Sequence, residues 1–456
     1  MSESSLKTAE HKSFRDFCAF DSWKNHDDEN GGFVGIRMEN GLPKIHFPMG
    51  YGNPENEGFD EVELKGDFFR LMEILSDKAL PQYLSNADFE KCRLDFPFRA
   101  FWEILEYYRD FGYFAENEIV YQKNFSGKIS WPRTIRNCHP QVVKCEEEFR
   151  IAYLKPVIRR FRSREDNLIA LVHKFCVHEA VKWIGPLFDL SEEDVEFPEI
   201  DFDGELFENV LTEKLNSTFN DRCLDLFRNL LLVTKFLSKK ELAVDDDTEN
   251  LFGVSSFAPV WEMLVDRAFG NFPPALCRED FNPHCQWRLG VERKFENPNY
   301  AMRPDTIMWE SEKLFVLDAK YYRYGMSGSA FDLPTSGSIC KQIAYAEYVE
   351  SGLQIRGKKI YNAFLMPYCA DARLLKDEDA GNRIFKMHFA GDCHGDWKNI
   401  KALPKDDAYR PYYHIAGILL DVKSLLRNRA ANPDARRSLS QLIVRNLARE
   451  GFPVDL

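Results

Sequence analysis

Apolar residues recur at three-to-four spacing in several stretches of the chain. Phe68-Phe69-Arg70-Leu71-Met72-Glu73-Ile74-Leu75 and Phe101-Trp102-Glu103-Ile104-Leu105-Glu106-Tyr107-Tyr108 both read this way, which predicts helices. Longer helical signals cover residues 165–185 and 206–238. Residues 117–136 change character to a β-prone run that ends in Gly127-Lys128-Ile129-Ser130-Trp131-Pro132-Arg133-Thr134-Ile135. From residue 251 onward strands and helices alternate. A helix is expected over Ala258–Phe269, because Val260, Met263, Leu264 and Ala268 line one face. Thr306–Glu310 and Lys313–Asp318 read as two strands around the turn Ser311-Glu312. A helix from Thr335 to Glu350 follows, then strands at Ile360–Pro367 and His414–Leu420, then helices at Asp421–Asn428 and Arg436–Leu447.

The punctuation between these patterns predicts three segments. Residues 1–60 are polar, with Glu29-Asn30-Gly31-Gly32, and read as an N-terminal arm. Residues 61–250 read as a mostly helical module. The acidic stretch at 241–250 breaks the pattern and marks a boundary or hinge. Residues 251–456 read as a domain of α+β class, because strands and helices alternate there.

Composition narrows the class. The chain has 456 residues, too many for one compact core. Hydrophobic residues make up 44% and charged residues 29%, a globular balance. Aromatics at 14% exclude a largely disordered chain. No run of about 18 apolar residues is present, so no membrane span is expected. The polar start Met1–Glu10 lacks an apolar signal core, and the expected location is the cytoplasm. Eleven cysteines without a C-x-x-C pair fit reduced intracellular thiols. Cys138-His139 and Cys393-His394 are isolated neighbours, and their spacing predicts no structural metal.

Charge separates the halves. The net charge is −13, but residues 1–250 hold 32 basic against 48 acidic groups, a balance of −16. Residues 251–456 hold 28 against 25, a balance of +3. An acidic total therefore does not exclude DNA binding, because the local field decides the contact. His173 and His178 are five apart, which is not the i, i+4 spacing of a helical metal pair, so both read as core or surface residues. No G-x-S-x-G run supports serine hydrolysis.

The chemistry concentrates at Arg303-Pro304-Asp305 and Asp318-Ala319-Lys320. Asp305 opens the first strand of the expected hairpin. Leu314-Phe315-Val316-Leu317 is an apolar strand buried on both faces, and Asp318 and Lys320 follow at its end. Residues two apart on a strand share a face, so the two project together beside Asp305. Two such carboxylates hold a hard cation such as Mg²⁺, which also takes phosphate oxygens. The ion lowers the pKa of bound water and stabilises charge on phosphorus. Lysine adds a point charge that orients water or neutralises the transition state. Glu262, polar within an apolar helix, is a candidate third carboxylate. Gln342 is a candidate for fixing water or phosphate. Lys128 and Arg133, with Arg136, are candidate phosphate contacts, as is Lys341.

This order of helix glutamate, Pro-Asp, Asp-x-Lys and Gln-x-x-Tyr resembles the PD-(D/E)XK nuclease superfamily, in the manner of its RecB-like branch. More closely, the chain resembles the LlaJI-type restriction endonucleases and the McrC-like nuclease subunits. The segments that carry this are Gly127–Ile135, Leu317-Asp318-Ala319-Lys320-Tyr321-Tyr322, Leu333-Pro334 leading to Lys341-Gln342 and Tyr345, and Ile415–Asp421 with Lys423. The likeness spans about residues 120–430, and Asp318 stands where glutamate is commoner. The resemblance implies a mixed sheet flanked by helices and a metal-dependent cut of double-stranded DNA in defence against foreign DNA. It implies Asp305, Asp318 and the Ala319 carbonyl as ligands of Mg²⁺, with Mn²⁺ able to substitute. Lys320 would position or deprotonate water, Glu262 would be a further ligand and Gln342 a helper. McrC-like subunits work with a separate AAA+ motor. This chain has no G-x-x-x-x-G-K-[ST] run of its own, so the motor is expected on another chain. Residues 61–250 would then serve DNA recognition or partner docking, and a homodimer would supply two cutting sites. The alternatives are a non-cutting adaptor on a nuclease scaffold and a nuclease of repair or transposition.

Overall fold

The computed structural model describes residues 13–20, 32–39, 42–52, 60–85, 96–124, 126–145, 148–164, 167–242, 251–285, 287–289, 294–296, 302–370, 385–398, 410–428 and 430–449. The chain divides into two units, residues 1–95 with 248–456 and residues 96–247. Most of the acidic stretch at 241–250, and Glu29-Asn30-Gly31, lie outside the described residues.

The first unit begins with β1 (Cys18–Ala19), β2 (Val34–Glu39), β3 (Leu42–His46) and α1 (Glu61–Leu75). The β2–β3 hairpin is antiparallel, and β1 pairs parallel with β3. Asp60 caps α1 by accepting from the Val62 N–H. Leu64, Phe68, Leu71, Met72 and Leu75 are buried along this helix. Val34–Glu39 and Leu42–His46 thus differ from the arm expected over 1–60. They form strands whose alternation places Val34, Ile36 and Ile45 in the core.

The second unit holds α2 (Phe98–Phe111), β4 (Glu116–Lys123), β5 (Lys128–Ile129), α3 (Trp131–Asn137), β6 (Gln141–Cys145), β7 (Glu148–Ala152), β8 (Val157–Arg164), α4 (Leu168–Ile184), α5 (Gly204–Ser217) and α6 (Asp221–Leu242). The expected helices are present, and five strands stand among them. β8 pairs antiparallel with both β4 and β5. β6 and β7 form a separate hairpin whose Val142, Phe149 and Ile151 are exposed. Phe96, Phe101, Trp183 and Phe236 stack edge and face to build the helical core. His173 is buried in it. Desolvation pushes its imidazole down to about 3, so it stays neutral and accepts the Phe114 N–H at 2.8 Å through Nδ1.

The first unit resumes with β9 (Leu251–Val254), α7 (Ala258–Phe269), β10 (Trp287–Leu289), β11 (Lys294–Glu296), β12 (Thr306–Glu310), β13 (Lys313–Ala319), α8 (Tyr324–Ser327), α9 (Ser336–Gly352), β14 (Ile360–Tyr368), β15 (Met387–His394), β16 (His414–Asp421), α10 (Val422–Arg427) and α11 (Pro433–Arg449). β9 pairs with β2, two strands more than two hundred residues apart in sequence. The main sheet has the order β12-β13-β14-β16-β15. Its three inner strands are parallel, and both edge strands run antiparallel to their neighbours. All nine residues of β14 are buried, as a central strand covered on two faces requires. α9 lays Tyr345, Ala346 and Val349 against Leu314, Val316 and Ile360. The architecture is mixed α+β, and no described helix is long and apolar enough to cross a membrane.

Candidate active site

The β12–β13 hairpin builds the site. Thr306 pairs with Leu317 and Glu310 with Lys313, so Asp305 and Asp318 meet at one end of the two strands. Ser311 and Glu312 close the other end with φ of 51° and 56°, the left-handed pair that matches strand twist. Asp305 Oδ2 accepts the backbone N–H of Ala319 at 2.9 Å. Asp318 is 2% exposed, and Lys320 Nζ lies 2.8 Å from its Oδ2. Asp318 Oδ1 is buried with no hydrogen-bond partner.

The electrostatics follow from crowding. Burial raises the Asp305 carboxyl well above the usual range, and the charges of Asp318 and Glu262 raise it further. Glu262 is also raised, first by burial, against the opposing pull of Lys320. Burial alone would lower the Lys320 ammonium. Asp318 beside it, and Asp305, more than offset that, so the net direction is upward. Three carboxyls share this place with one close ammonium, so ionising all three at once is disfavoured, and Asp305 and Glu262 are pushed toward their protonated forms. An unpaired buried charge is costly. Asp305, Asp318 and the orphaned Oδ1 therefore suit a divalent cation with oxygen ligands. Among the described residues, none of Asp305, Asp318 and Glu262 belongs to a set of three donor atoms within 4.8 Å of one another.

Neighbouring residues hold these groups in place. The Leu365 carbonyl accepts from Lys320 N at 2.9 Å and from Trp261 Nε1 at 3.1 Å. That single acceptor ties α7, and with it Glu262, to the end of β13. Gln342 is 1% exposed and donates Nε2 to the Val316 carbonyl at 2.6 Å. That bond ties its Nε2 to β13, while its Oε1 is buried with no hydrogen-bond partner. Tyr345 donates to the Arg303 carbonyl at 2.8 Å. Lys341 is exposed on α9, and its charge reaches Glu262.

Three residues were not anticipated. Arg278 donates Nη2 to the Asp305 carbonyl at 2.6 Å and pairs through Nη1 with Asp266 at 2.8 Å. Tyr83 also donates to Asp266, at 2.9 Å. No local pattern flags them, because they act on a backbone carbonyl from distant positions. Lys128 and Arg133 belong to the second unit, and Asp305 and Asp318 to the first. Both are exposed, and the Arg133 guanidinium stacks 3.8 Å from the Tyr121 ring.

Fold and site together define an α+β protein with a carboxylate–lysine cluster at the end of a buried strand. A family model described as LlaJI restriction endonuclease matches residues 81–389. The chain belongs to the LlaJI restriction endonuclease family. Among solved structures, the chain is similar to one titled as a refined half-complex of Thermococcus gammatolerans McrB AAA+ hexamers with bound McrC. The identity is 16%, the TM-score 0.37, and the likeness covers 90% of this chain and 83% of that one. No curated protein matches the chain.

Proposed function

We propose that this chain is the nuclease of a restriction system and hydrolyses the phosphodiester backbone of double-stranded DNA at a PD-(D/E)XK-type site. The observation that supports this most directly is the hairpin register that sets Asp305 beside Asp318, with Lys320 Nζ 2.8 Å from Asp318 Oδ2 and Asp318 Oδ1 buried without a hydrogen-bond partner. Asp305, Asp318 and the Ala319 carbonyl would hold Mg²⁺, or Mn²⁺ in its place. When bound, the ion supplies a water of lowered pKa and positive charge for the pentacoordinate phosphorus. Lys320 remains an ammonium at neutral pH, because its carboxylate neighbours raise it. It would position the attacking water, or deprotonate it once a cation offsets those carboxylates, and neutralise developing charge. Glu262 would be a further ligand, and Lys341 would offer a phosphate contact. Gln342, Tyr345 and Arg278 keep the two acidic residues at a fixed separation.

A separate AAA+ NTPase partner is part of the proposal. It rests on the McrC-like segments of the sequence and on the absence of a phosphate-loop run in this chain. The exposed Val142, Phe149 and Ile151 of the β6–β7 hairpin suit a protein partner. A homodimer would place two sites on the two DNA strands.

The test is cleavage of plasmid DNA by the purified chain in EDTA, Mg²⁺ and Mn²⁺, alone and with any AAA+ NTPase found encoded beside it. Asp318→Ala and Lys320→Met are expected to lose about two orders of magnitude or more in rate, with circular dichroism unchanged. Cutting that persists in EDTA, or equal rates for the variants, would overturn the assignment. Absence of both cutting and Mg²⁺ binding would favour a non-cutting adaptor.

A further inference from the structure

A second cluster of ligand-type side chains lies on the other face of the main sheet. Asp318 shares a face with Val316. Val316 pairs with Asn362 and Asn362 with Ile415, so that face continues across the sheet to Ile415. His414, one residue earlier, projects from the opposite face. It pairs directly with His394 on edge strand β15, and Asp392, two residues before His394, shares that side. The arrangement is compact. Asp392 Oδ2 lies 2.5 Å from His414 Nδ1, and the rings of His394 and His414 are 4.9 Å apart. One donor atom from each of the three residues lies within 4.8 Å of the other two. His414 is 3% exposed, Asp392 is half-buried and His394 is exposed.

We propose that Asp392, His394 and His414 form a second metal centre that takes Zn²⁺. The donor set decides the ion. Two imidazoles and one carboxylate select a borderline transition dication, whereas Mg²⁺ prefers oxygen ligands throughout. Three protein ligands are the number found at open zinc sites, with a water in the fourth position on the solvent side at His394. Bonds of 2.0–2.1 Å at tetrahedral angles place donors roughly 3.4 Å apart, so small side-chain rotations convert the present hydrogen bond into a coordination pair. Paired strands fix the three Cβ positions before any ion arrives, which lowers the ordering cost of binding. The bound ion would fasten β15, an edge strand with a register shift between Phe389 and Gly391, to β16. This centre is independent of the Asp305–Asp318 proposal, because it shares no residue with it.

The experiment uses the full chain, stripped with EDTA, re-equilibrated with Zn²⁺ and desalted. Metal content is measured by mass spectrometry, and visible absorption is recorded with Co²⁺ in place of Zn²⁺. Wild type is expected to retain one more equivalent of Zn²⁺ than His394→Ala. It should also show a Zn²⁺-induced rise in melting temperature that the variant lacks. Asp392→Asn should bind at least tenfold more weakly. The double variant Asp305→Ala/Asp318→Ala should keep the Zn²⁺ equivalent. His394 is exposed, so its substitution leaves the fold intact for comparison. Equal Zn²⁺ content in wild type and His394→Ala would overturn the proposal, as would no uptake by wild type or loss of the equivalent in the double variant. Any of these would leave Asp392–His414 as a hydrogen-bonded structural pair.

Discussion

At the scale of single residues, Asp305 makes the clearest prediction about pH. Its carboxyl is raised in the folded chain by burial and by Asp318 and Glu262. Between its unfolded and folded pKa values the folded state therefore binds more protons than the unfolded state. The contribution of Asp305 to stability is complete below the unfolded value and is lost as pH rises through the folded one. Asp305→Asn keeps an oxygen for the Ala319 N–H and removes the repulsion. In EDTA at pH 8 this variant should melt about 2 °C or more above wild type, with the gap closing toward pH 4. Added Mg²⁺ should reverse the order, because only wild type retains both carboxylates. The apparent Mg²⁺ affinity of wild type should rise with pH as Asp305 and Glu262 lose their protons. Melting curves over a pH series, with and without Mg²⁺, check both signs.

At the scale of elements, the β12–β13 hairpin sets the spacing of the acidic pair. Its turn places Ser311 and Glu312 in the left-handed region, where neither residue is favoured. Glu312 gains an ion pair with Lys359 at 2.7 Å, but at 80% exposure that pair is worth little. Replacing the two residues by Asn-Gly should raise stability by about 1 kcal/mol in urea denaturation and leave cleavage unchanged. A fall in cleavage would show that the turn does more than connect the strands. The helices around the hairpin act through backbone acceptors. α9 reaches the Val316 carbonyl through Gln342, and α7 reaches the Leu365 carbonyl through Trp261.

At the scale of the molecule, the first unit is closed by a buried ion cluster between its two sequence halves. Asp67 is fully buried on α1. It accepts from Arg427 on α10 at 2.6 and 2.8 Å, from Arg70 at 2.9 Å and from the Tyr51 hydroxyl at 2.8 Å. Removing one partner of such a cluster leaves a carboxylate short of its compensation. Arg427→Ala should destabilise the unit by about 3 kcal/mol, read as a lower urea midpoint. An unchanged midpoint would show that Arg70 and Tyr51 satisfy Asp67 without it. Pairing with β9, far along the chain, holds Val34–Glu39 as a strand and not as part of an arm. β2 lies so close to β9 that a Cβ on Gly35 would sit 2.1 Å from the Phe252 carbonyl oxygen, and Gly35 and Gly253 face each other there.

The sequence by itself determined the elements whose periodicity is local. Val260, Met263, Leu264 and Ala268 marked α7 from Ala258 to Phe269, and the apolar run Leu314–Leu317 marked β13 with Asp318 at its end. It also placed Asp305, Asp318 and Lys320 in one neighbourhood, because a two-residue turn fixes hairpin register. Only the tertiary structure decided which distant segments pair. β15 is an edge strand of half-buried residues interrupted by Gly391, so its alternation was too weak to read, and the meeting of Asp392, His394 and His414 was hidden with it. The Arg278–Asp266–Tyr83 support was hidden for the same reason. A one-dimensional pattern records which face a residue turns to its own element, and packing between elements far apart in sequence decides what that face meets.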